Sequence, residues 1–471
     1  MTKNTYKIAW IFLLTASALL RLATAFYWNS YVESVASQNV SEPAQDGPFF
    51  FGDSDSYWKL GRALAFARPY QFDEIHRWQV FRTPGYPALL APLFWIFGEN
   101  PPVLAARLLG VCFGVVNVYL VGILACALFS GFESRKLIAV IAGACAAFDP
   151  TLVFQSVCVL SEEPFLTFAL LLNLTIYRVA RKFNLLPSPE YDLNETPNAQ
   201  PSVCRNAESK PTVADAIRLA ALSTATIYLR PSSAYYLLFV ALTLVALRFA
   251  RKRRALPARP VVKRFLLFAV AVALLHVLFL SPWIIRNYAL TGRIIATSLQ
   301  SGASLYDGLS PTATGASDMT FVDQFFQDEL NSPSDDENIH FEVRLDERLK
   351  TAALTWAKAH PLQTLKLAAI KFYRLWAPIP REKAFSRPLF MIVLACSFTP
   401  VFLLGLCGAI RSLNRNGAAW FLAILPLYTT CLHVIFVSSI RYRVPCMASF
   451  DILVAFFLVS LWQSREAKSK S

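Results

Sequence analysis

The chain has 471 residues, of which 55% are hydrophobic and only 16% are charged, and its formal net charge is +14. Soluble proteins keep about 25% charged residues, so this composition excludes an ordinary soluble enzyme and indicates a membrane protein. The basic residues lie mainly in short stretches between apolar runs, for example at 251–254. This pattern is typical of cytoplasmic loops that face anionic lipid, and it argues against nucleic acid as a partner.

Ten apolar segments are candidates to cross a bilayer, whose hydrocarbon core requires about 20 helical residues. They lie near residues 8–28, 102–129, 137–153, 164–180, 213–230, 232–250, 265–284, 388–411, 418–438 and 444–462. The first segment follows Lys3 and Lys7, and no convincing small-residue cleavage site comes after it, so we predict a retained first helix. The predicted fold class is therefore an all-α polytopic membrane protein of about ten transmembrane helices.

The positive-inside rule gives the expected orientation of these spans. The connections assigned to the cytoplasm carry an excess of Arg and Lys, whereas residues 285–387 carry twelve acidic and twelve basic residues. Both termini are therefore expected in the cytoplasm, and 29–101 and 285–387 are expected to be large extracytoplasmic loops. Amphipathic or short apolar stretches at 54–67, 86–97 and 361–376 predict interfacial helices within these loops.

This topology divides the chain into five parts. Residues 1–182 form an N-terminal membrane module that includes the first external loop, and 183–212 form a cytoplasmic insert whose Pro, Asn, Glu and Ser content predicts disorder. Central membrane helices at 213–284, the second external loop at 285–387, and C-terminal membrane helices with a cytoplasmic tail at 388–471 complete the chain.

Two carboxylates follow the first span, in the run Gly52-Asp53-Ser54-Asp55-Ser56-Tyr57. One interpretation is helix capping, with Asp53 or Ser54 at the N-cap and Asp55 in the first turn. The other is a general base at the membrane surface. The sequence alone favours capping and does not decide between the two.

A second acidic pair, Glu162 and Glu163, precedes Pro164 at the start of the fourth span. Adjacent carboxylates are favourable at a helix N-terminus, but against lipid they are costly without a partner, so a role in a polar cavity is an equal alternative. Several arginines fall on the same expected outer side, where the positive-inside rule gives them no reason to be. Their guanidinium groups suit a phosphate, although each alone could simply reach lipid headgroups. They are Arg82, Arg230, Arg286, Arg441 and Arg443.

The order of these motifs resembles the bacterial relatives of the protein O-mannosyltransferases, GT-C glycosyltransferases that include the aminoarabinose transferases. The resemblance runs along most of the chain, although the insert at 183–212 is unlike most relatives. It is carried by Asp53-x-x-x-Tyr57, Arg82-Thr83-Pro84-Gly85-Tyr86-Pro87, Phe148-Asp149-Pro150 before Ser161-Glu162-Glu163-Pro164, Leu229-Arg230-Pro231, Ser281-Pro282-Trp283-Ile284-Ile285-Arg286-Asn287, Asp346-Glu347-Arg348 before His360-Pro361, and Arg441-Tyr442-Arg443-Val444-Pro445.

The resemblance implies transfer of a sugar from a polyprenyl-phosphate donor to an extracytoplasmic acceptor, which is a protein, a lipid or a glycan, with inversion at the anomeric carbon. Asp53 would be the general base, and Asp55 is the less favoured catalytic candidate. Arg82, Arg286, Arg441 or Arg443 would hold the lipid phosphate, and Arg230 is a further substrate-binding candidate. Glu162 or Glu163 would orient the acceptor or balance the arginines. The remaining substrate-binding candidates are Tyr57, Tyr86, Asn287 and Tyr442. The implied location is the bacterial cytoplasmic (inner) membrane.

No cofactor follows from the sequence. The nine cysteines show no CxxC pair and no Cys/His cluster at metal spacing. The run Asp53-Ser54-Asp55 is similar to a metal-binding DxD, but a lipid monophosphate donor leaves less need for a divalent cation, which is therefore not expected. A membrane transporter or lipid flippase is the alternative function, which would predict charged residues near the bilayer midplane and interrupted helices in matching halves. A scaffold without chemistry would leave the large external loops unexplained.

Overall fold

The computed structural model describes residues 1–38, 51–72, 78–186, 210–251, 259–331, 340–381, 388–413 and 418–470. Within these ranges all regular structure is helical, which confirms the predicted all-α class. Most of the predicted cytoplasmic insert lies outside the described residues, as do most of the basic residues at 251–254.

Each of the ten apolar segments forms helix in the described chain. The helices are α1 (Lys3–Gln38), α4 (Val103–Leu128), α5 (Arg135–Phe148), α6 (Pro150–Val157), α7 (Glu162–Lys182), α8 (Val213–Leu229), α9 (Tyr236–Arg251), α10 (Arg259–Thr291), α15 (Pro388–Leu413), α16 (Ala418–His433) and α17 (Val444–Lys470). Five helices in the described part are long and apolar enough to cross a membrane, or six if the bent pair α5 and α6 counts as one span. The chain is thus a multi-pass membrane protein, and the count of about ten spans stays a prediction.

One apolar segment is not the straight span that its composition predicted. Residues 137–153 form α5 and α6, which meet at a bend of 58°. Pro150 lacks a backbone N–H and cannot continue the helix, and the Asp149 carboxylate caps α6 by accepting from the Thr151 amide at 2.7 Å. The break therefore has a local cause in the Asp149-Pro150 pair.

Close packing at small residues holds the N-terminal part of the bundle together. α4 packs against α1, α5 and α7. A Cβ added at Gly122 of α4 would lie 2.3 Å from the Trp10 ring of α1, so only glycine allows the two helices to approach this closely. The buried aliphatic side chains of these helices join those of α17 in one large apolar core.

The two predicted external regions carry their own helices. The first contains α2 (Gly52–Ala65) and α3 (Gly85–Phe97), and the second contains α11 (Ser301–Gly308), α12 (Phe321–Asn331), α13 (Phe341–Ala359) and α14 (Pro361–Trp376). α2 packs on α3 through Tyr57, Leu90 and Phe94. Helices are thus present in all three stretches predicted to be interfacial, and their location at a membrane surface remains a prediction.

Two short 3-10 turns complete the frame around the site. Pro231–Ser233 follows α8 directly, and Ile440–Arg443 leads directly into α17. Arg230, directly before the first of these turns, and Arg441, within the second, contact carboxylates in the first turns of α2 and α7. Residues that are distant along the chain therefore converge there.

Candidate active site

The Asp53 side chain lies in the first turn of α2 and faces two arginines. One carboxylate oxygen accepts from Arg82 Nη2 at 2.5 Å, and the other accepts from Arg441 Nη2 at 2.9 Å. The helix starts after Phe51, without a side-chain cap. The favoured capping interpretation of Asp53 or Ser54 is therefore wrong, because the N-cap position lies before both residues.

Electrostatics keep Asp53 ionised. Burial alone would raise the pKa of its carboxyl, but the Arg82 and Arg441 guanidinium groups outweigh burial and hold the pKa well below its usual 3.8. The side chain is still 31% exposed. An incoming group can therefore reach this carboxylate or its two cations.

Glu162, in the first turn of α7, links Arg441 to another arginine. One of its carboxylate oxygens accepts from Arg441 Nε, and Arg230 Nη1 lies 2.9 Å from the same oxygen. The Glu162 side chain is 0% exposed, and both arginines are half-buried around it. The buried carboxylate thus fixes two guanidinium groups side by side, since its charge is satisfied by both.

We call these five residues the ion-pair cluster: Asp53, Arg82, Glu162, Arg230 and Arg441. They come from the start of α2, the loop before α3, the start of α7, the end of α8 and the turn before α17. Three guanidinium groups against two carboxylates leave a formal excess of one positive charge. Such a site favours an anion, and the planar forks of arginine suit phosphate oxygens.

Aromatic rings surround the cluster. The Arg82 guanidinium carbon lies 5.2 Å from the centre of the Tyr57 ring, and Tyr57 meets Tyr86 edge to face with ring centres 5.1 Å apart. The Arg230 guanidinium lies 5.5 Å from the centre of the Tyr442 ring. A recess opens beside Arg230 and Tyr442 and is also lined by His433.

The predicted binding residues Arg286 and Asn287 lie apart from the cluster, and Arg286 contacts the loop that carries Arg82. Arg286 donates to the Gln79 carbonyl oxygen at 2.8 Å and stacks on Trp283, with 4.7 Å between the guanidinium carbon and the ring centre. The Asn287 amide donates to the Ile295 carbonyl oxygen at 3.0 Å. Their described contacts are thus largely with the backbone, which fits a positioning role better than phosphate binding.

Three other predicted site residues point elsewhere. Asp55 pairs with Lys59 at 2.7 Å on the exposed side of α2, because two helical residues turn it about 200° away from Asp53. Glu163 accepts from the Asn117 side chain at 2.7 Å inside the bundle. Arg443 donates to the Leu375 and Ala377 carbonyl oxygens. The structure therefore places none of these three in the ion-pair cluster.

Sequence reasoning missed several residues that contact the site. The Tyr70 hydroxyl donates to the Arg82 and Thr83 carbonyl oxygens, and Gln300 accepts from Arg82 Nη1 at 3.4 Å. His433 stacks on Tyr442 with ring centres 4.3 Å apart. These residues carry no local signal, because their importance arises only from contacts across long sequence separations.

The partners of the site's carboxylates bear on whether these carboxylates could hold a metal ion. Each carboxylate oxygen of Asp53 binds a guanidinium group, and Asp55 binds a lysine. Among the residues that the structure describes, no group of three or more His, Cys, Asp or Glu side chains is placed to hold a metal ion.

Comparison with known proteins identifies structural relatives only. No family model and no curated protein matches the chain. The archaeal oligosaccharyltransferase AglB from Archaeoglobus fulgidus, in complex with an inhibitory peptide and a dolichol-phosphate, aligns with a TM-score of 0.52 at 13% identity over 98% of this chain and 51% of that one. Its apo form aligns with a TM-score of 0.52 at 14% identity, over 99% of this chain and 52% of that one.

ArnT from Cupriavidus metallidurans, bound to undecaprenyl phosphate, aligns with a TM-score of 0.35 at 12% identity over 86% of this chain and 73% of that one. The present chain spans about half the length of the archaeal structures. At these identities the likeness concerns the fold alone. The chain therefore has the fold of the archaeal oligosaccharyltransferase, a GT-C glycosyltransferase, as its sequence motifs predicted.

Proposed function

We propose that this protein is a GT-C glycosyltransferase that moves a sugar from a polyprenyl-phosphate-linked donor to an acceptor hydroxyl or phosphate outside the cytoplasm. The acceptor class is a protein, a lipid or a glycan. The protein would lie in the bacterial cytoplasmic membrane with both termini in the cytoplasm. The ion-pair cluster would then lie at the extracytoplasmic surface, where a lipid-linked sugar can reach it from the bilayer.

One observation carries the proposal: an ionised carboxylate, Asp53, lies between Arg82 and Arg441 in a site with excess positive charge. Glycosyl transfer from a lipid phosphate requires both kinds of group. A base must accept the proton of the acceptor, and cations must stabilise the charge of the departing phosphate. Here the two requirements are met by side chains in direct contact.

The contacts also suggest an order of events. With both oxygens bound to guanidinium groups and a lowered pKa, Asp53 is a weak base before substrate arrives. A donor phosphate would compete with Asp53 for Arg82 and Arg441, because phosphate oxygens accept hydrogen bonds from guanidinium groups as carboxylate oxygens do. One oxygen of Asp53 would then be free to accept the acceptor proton, as the acceptor oxygen forms its bond to the anomeric carbon.

In that step the bond between the anomeric carbon and the phosphate oxygen breaks, and the electron pair leaves with the lipid phosphate. Attack from the opposite side inverts the anomeric carbon. Arg441 would stabilise the departing charge while Glu162, which also pairs with Arg230, holds it in place. The apolar helices beneath the cluster would keep the polyprenyl chain in lipid.

The test is a comparison of glycans and lipids by mass spectrometry in a deletion strain of the source organism. The strain would be complemented with the wild-type chain or with Asp53→Asn. A glycosylated species should disappear on deletion, return with the wild-type chain and remain absent with Asp53→Asn at equal expression. Identical glycan and lipid profiles in all strains would exclude the proposal.

A further inference from the structure

The segment that leads into Arg441 is held from outside the ion-pair cluster by two cations of α14. Lys371 Nζ donates to the Ile435 carbonyl oxygen at 2.6 Å, and Arg374 Nε donates to the Ser438 carbonyl oxygen at 3.2 Å. Lys371 is 0% exposed. Because burial of an ammonium group is unfavourable unless it is hydrogen-bonded, we expect the Ile435 contact to be strong.

The end of α11 and the loop after it contact the same segment. The Ser438 amide donates to the Gly315 carbonyl oxygen at 3.0 Å, and Gly315 has a φ of 83°, in the left-handed region that favours glycine. A Cβ added at Gly308 would lie 2.8 Å from the Ile435 carbonyl oxygen. Residues 435–438 are therefore in close contact with α14, with the end of α11 and with the loop after it, and they have little room to move.

A third cation returns from the segment to the end of α14. Arg443 donates to the Leu375 carbonyl oxygen at 3.1 Å and to that of Ala377, and its guanidinium carbon lies 3.5 Å from the centre of the Phe398 ring. Contacts thus run in both directions, from α14 to residues 435–438 and from Arg443 back to α14. We call Lys371, Arg374 and Arg443 the α14 clamp.

We propose that the α14 clamp positions Arg441, so that the second external region controls the geometry of the ion-pair cluster without touching substrate. Along the chain, Arg441 lies between Ser438, whose carbonyl oxygen Arg374 binds, and Arg443, which contacts the end of α14. Its guanidinium must reach Asp53 and Glu162 together, so a small shift of the turn would break one of these contacts. The consequence for catalysis rests on the proposed function, whereas the structural hold does not.

Hydrogen exchange measured by mass spectrometry tests the hold without any substrate. The full chain in lipid nanodiscs would be compared with Lys371→Met and with Lys366→Met, a control at an exposed position of the same helix. In Lys371→Met the amides of residues 434–443 should exchange about tenfold faster, while α4 keeps its protection. Lys366→Met should match the wild type.

If Lys371→Met fails to fold, Arg374→Gln removes the hydrogen bond to the Ser438 carbonyl oxygen while Lys371 stays in place, and it should speed exchange in the same peptide. Unchanged exchange at 434–443 in a folded clamp variant would overturn the proposal. Faster exchange spread evenly over the whole chain would also overturn it, because that result indicates general destabilisation.

A double-mutant cycle on sugar transfer tests the link to Arg441. Lys371→Met alone should lower turnover roughly 10- to 100-fold, because a displacement of about 1 Å has effects of this size. In an Arg441→Lys background the same change should have a much smaller effect, since the group that the clamp positions is already altered. Equal losses in both backgrounds would mean that Lys371 does not act through Arg441. If the wild-type chain transfers no sugar, the proposed function fails while the exchange experiment still decides the clamp.

Discussion

Arginines with little solvent exposure in this protein have different partners in two regions. In the ion-pair cluster, Arg82 and Arg441 contact the Asp53 carboxylate. Inside the helix bundle, Arg21 donates to the Ala146 and Ala147 carbonyl oxygens. A carboxylate can be replaced by another anion as the partner of a guanidinium group, whereas a main-chain carbonyl stays fixed unless the helix unfolds. The first region therefore suits binding and reaction, and the second suits stability.

The acidic residues show the same contrast. Asp53 is bound by guanidinium groups, but Glu342 of α13 accepts from the main-chain amides of Gln79 at 2.8 Å and Val80 at 3.1 Å. Glu342 thus holds the loop that carries Arg82, in the way that Arg21 holds α5. The chemistry of the partner, rather than burial or charge, separates the groups that can exchange partners from those that fix the fold.

The largest effect is expected for Asp53→Asn. An amide has the same shape but accepts no proton, so transfer should fall by about 10²- to 10⁴-fold, measured as turnover of the purified chain with a lipid-linked donor. Asp55→Asn is the matched control, because Asp55 pairs with Lys59 away from the cluster. If Asp53→Asn keeps full activity, or if Asp55→Asn loses as much, the assignment of the base is wrong.

Arg441→Lys should have the next largest effect. Lysine keeps the charge but has one nitrogen in place of the two that donate to Glu162 and Asp53, so it does not reproduce the planar bridge. Because Arg441 would also stabilise the departing phosphate, turnover should fall by about 10²-fold, with weaker binding of the lipid-phosphate donor. Retention of wild-type kinetics would show that the positive charge alone is sufficient and that the bridge has no catalytic role.

The sequence predicted the helices of this fold well, because long apolar runs and the distribution of basic residues report directly on a membrane environment. It also singled out Asp53, Arg82, Glu162, Arg230 and Arg441 as candidates, through their motifs. It ranked Asp55 below Asp53 only through the matched motif, and it did not separate Arg443 from Arg441, because these residues differ from their neighbours in the direction of the side chain. That direction depends on helix rotation and on partners far along the chain.

The α14 clamp shows why the remaining site could not be predicted. Lys371 was one of several basic residues on an amphipathic helix, and nothing local indicated that it is buried against Ile435, 64 residues away. A buried lysine that donates to a carbonyl and an exposed lysine on the same helix look alike in a sequence. Such contacts become visible only when the elements are assembled.

Replacement of Arg21, which binds main-chain carbonyl oxygens inside the bundle, should reduce the stability of the protein rather than the rate of sugar transfer. Arg21→Met removes hydrogen bonds to Ser17 and to the end of α5, and it should lower the free energy of unfolding by about 1–3 kcal/mol. Thermal unfolding in detergent would measure this loss, with Lys7→Met at an exposed position of the same helix as the control. Turnover per folded molecule should stay close to wild type. A selective loss of turnover would mean that Arg21 takes part in the reaction, so that contact with main-chain carbonyls would no longer mark a purely stabilising arginine.

The last expected effect concerns Glu342, and it depends on pH. Burial raises the pKa of Glu342 to about 7 although the amides of Gln79 and Val80 and the charge of Arg286 favour its ionised form. The folded protein then keeps a proton on Glu342 up to about pH 7, whereas the unfolded chain releases it near 4.5. Because the folded state binds more protons between these values, the contribution of Glu342 to stability falls as pH rises from 4.5 to 7 and is constant above pH 7.

Glu342→Gln removes this dependence. The free energy of unfolding of the variant should equal that of the wild type near pH 5 and exceed it near pH 8 by an amount on the order of 2 kcal/mol. Thermal unfolding of both proteins across this range measures the difference, and parallel curves for the two would show that Glu342 is ionised in the fold like an exposed carboxylate.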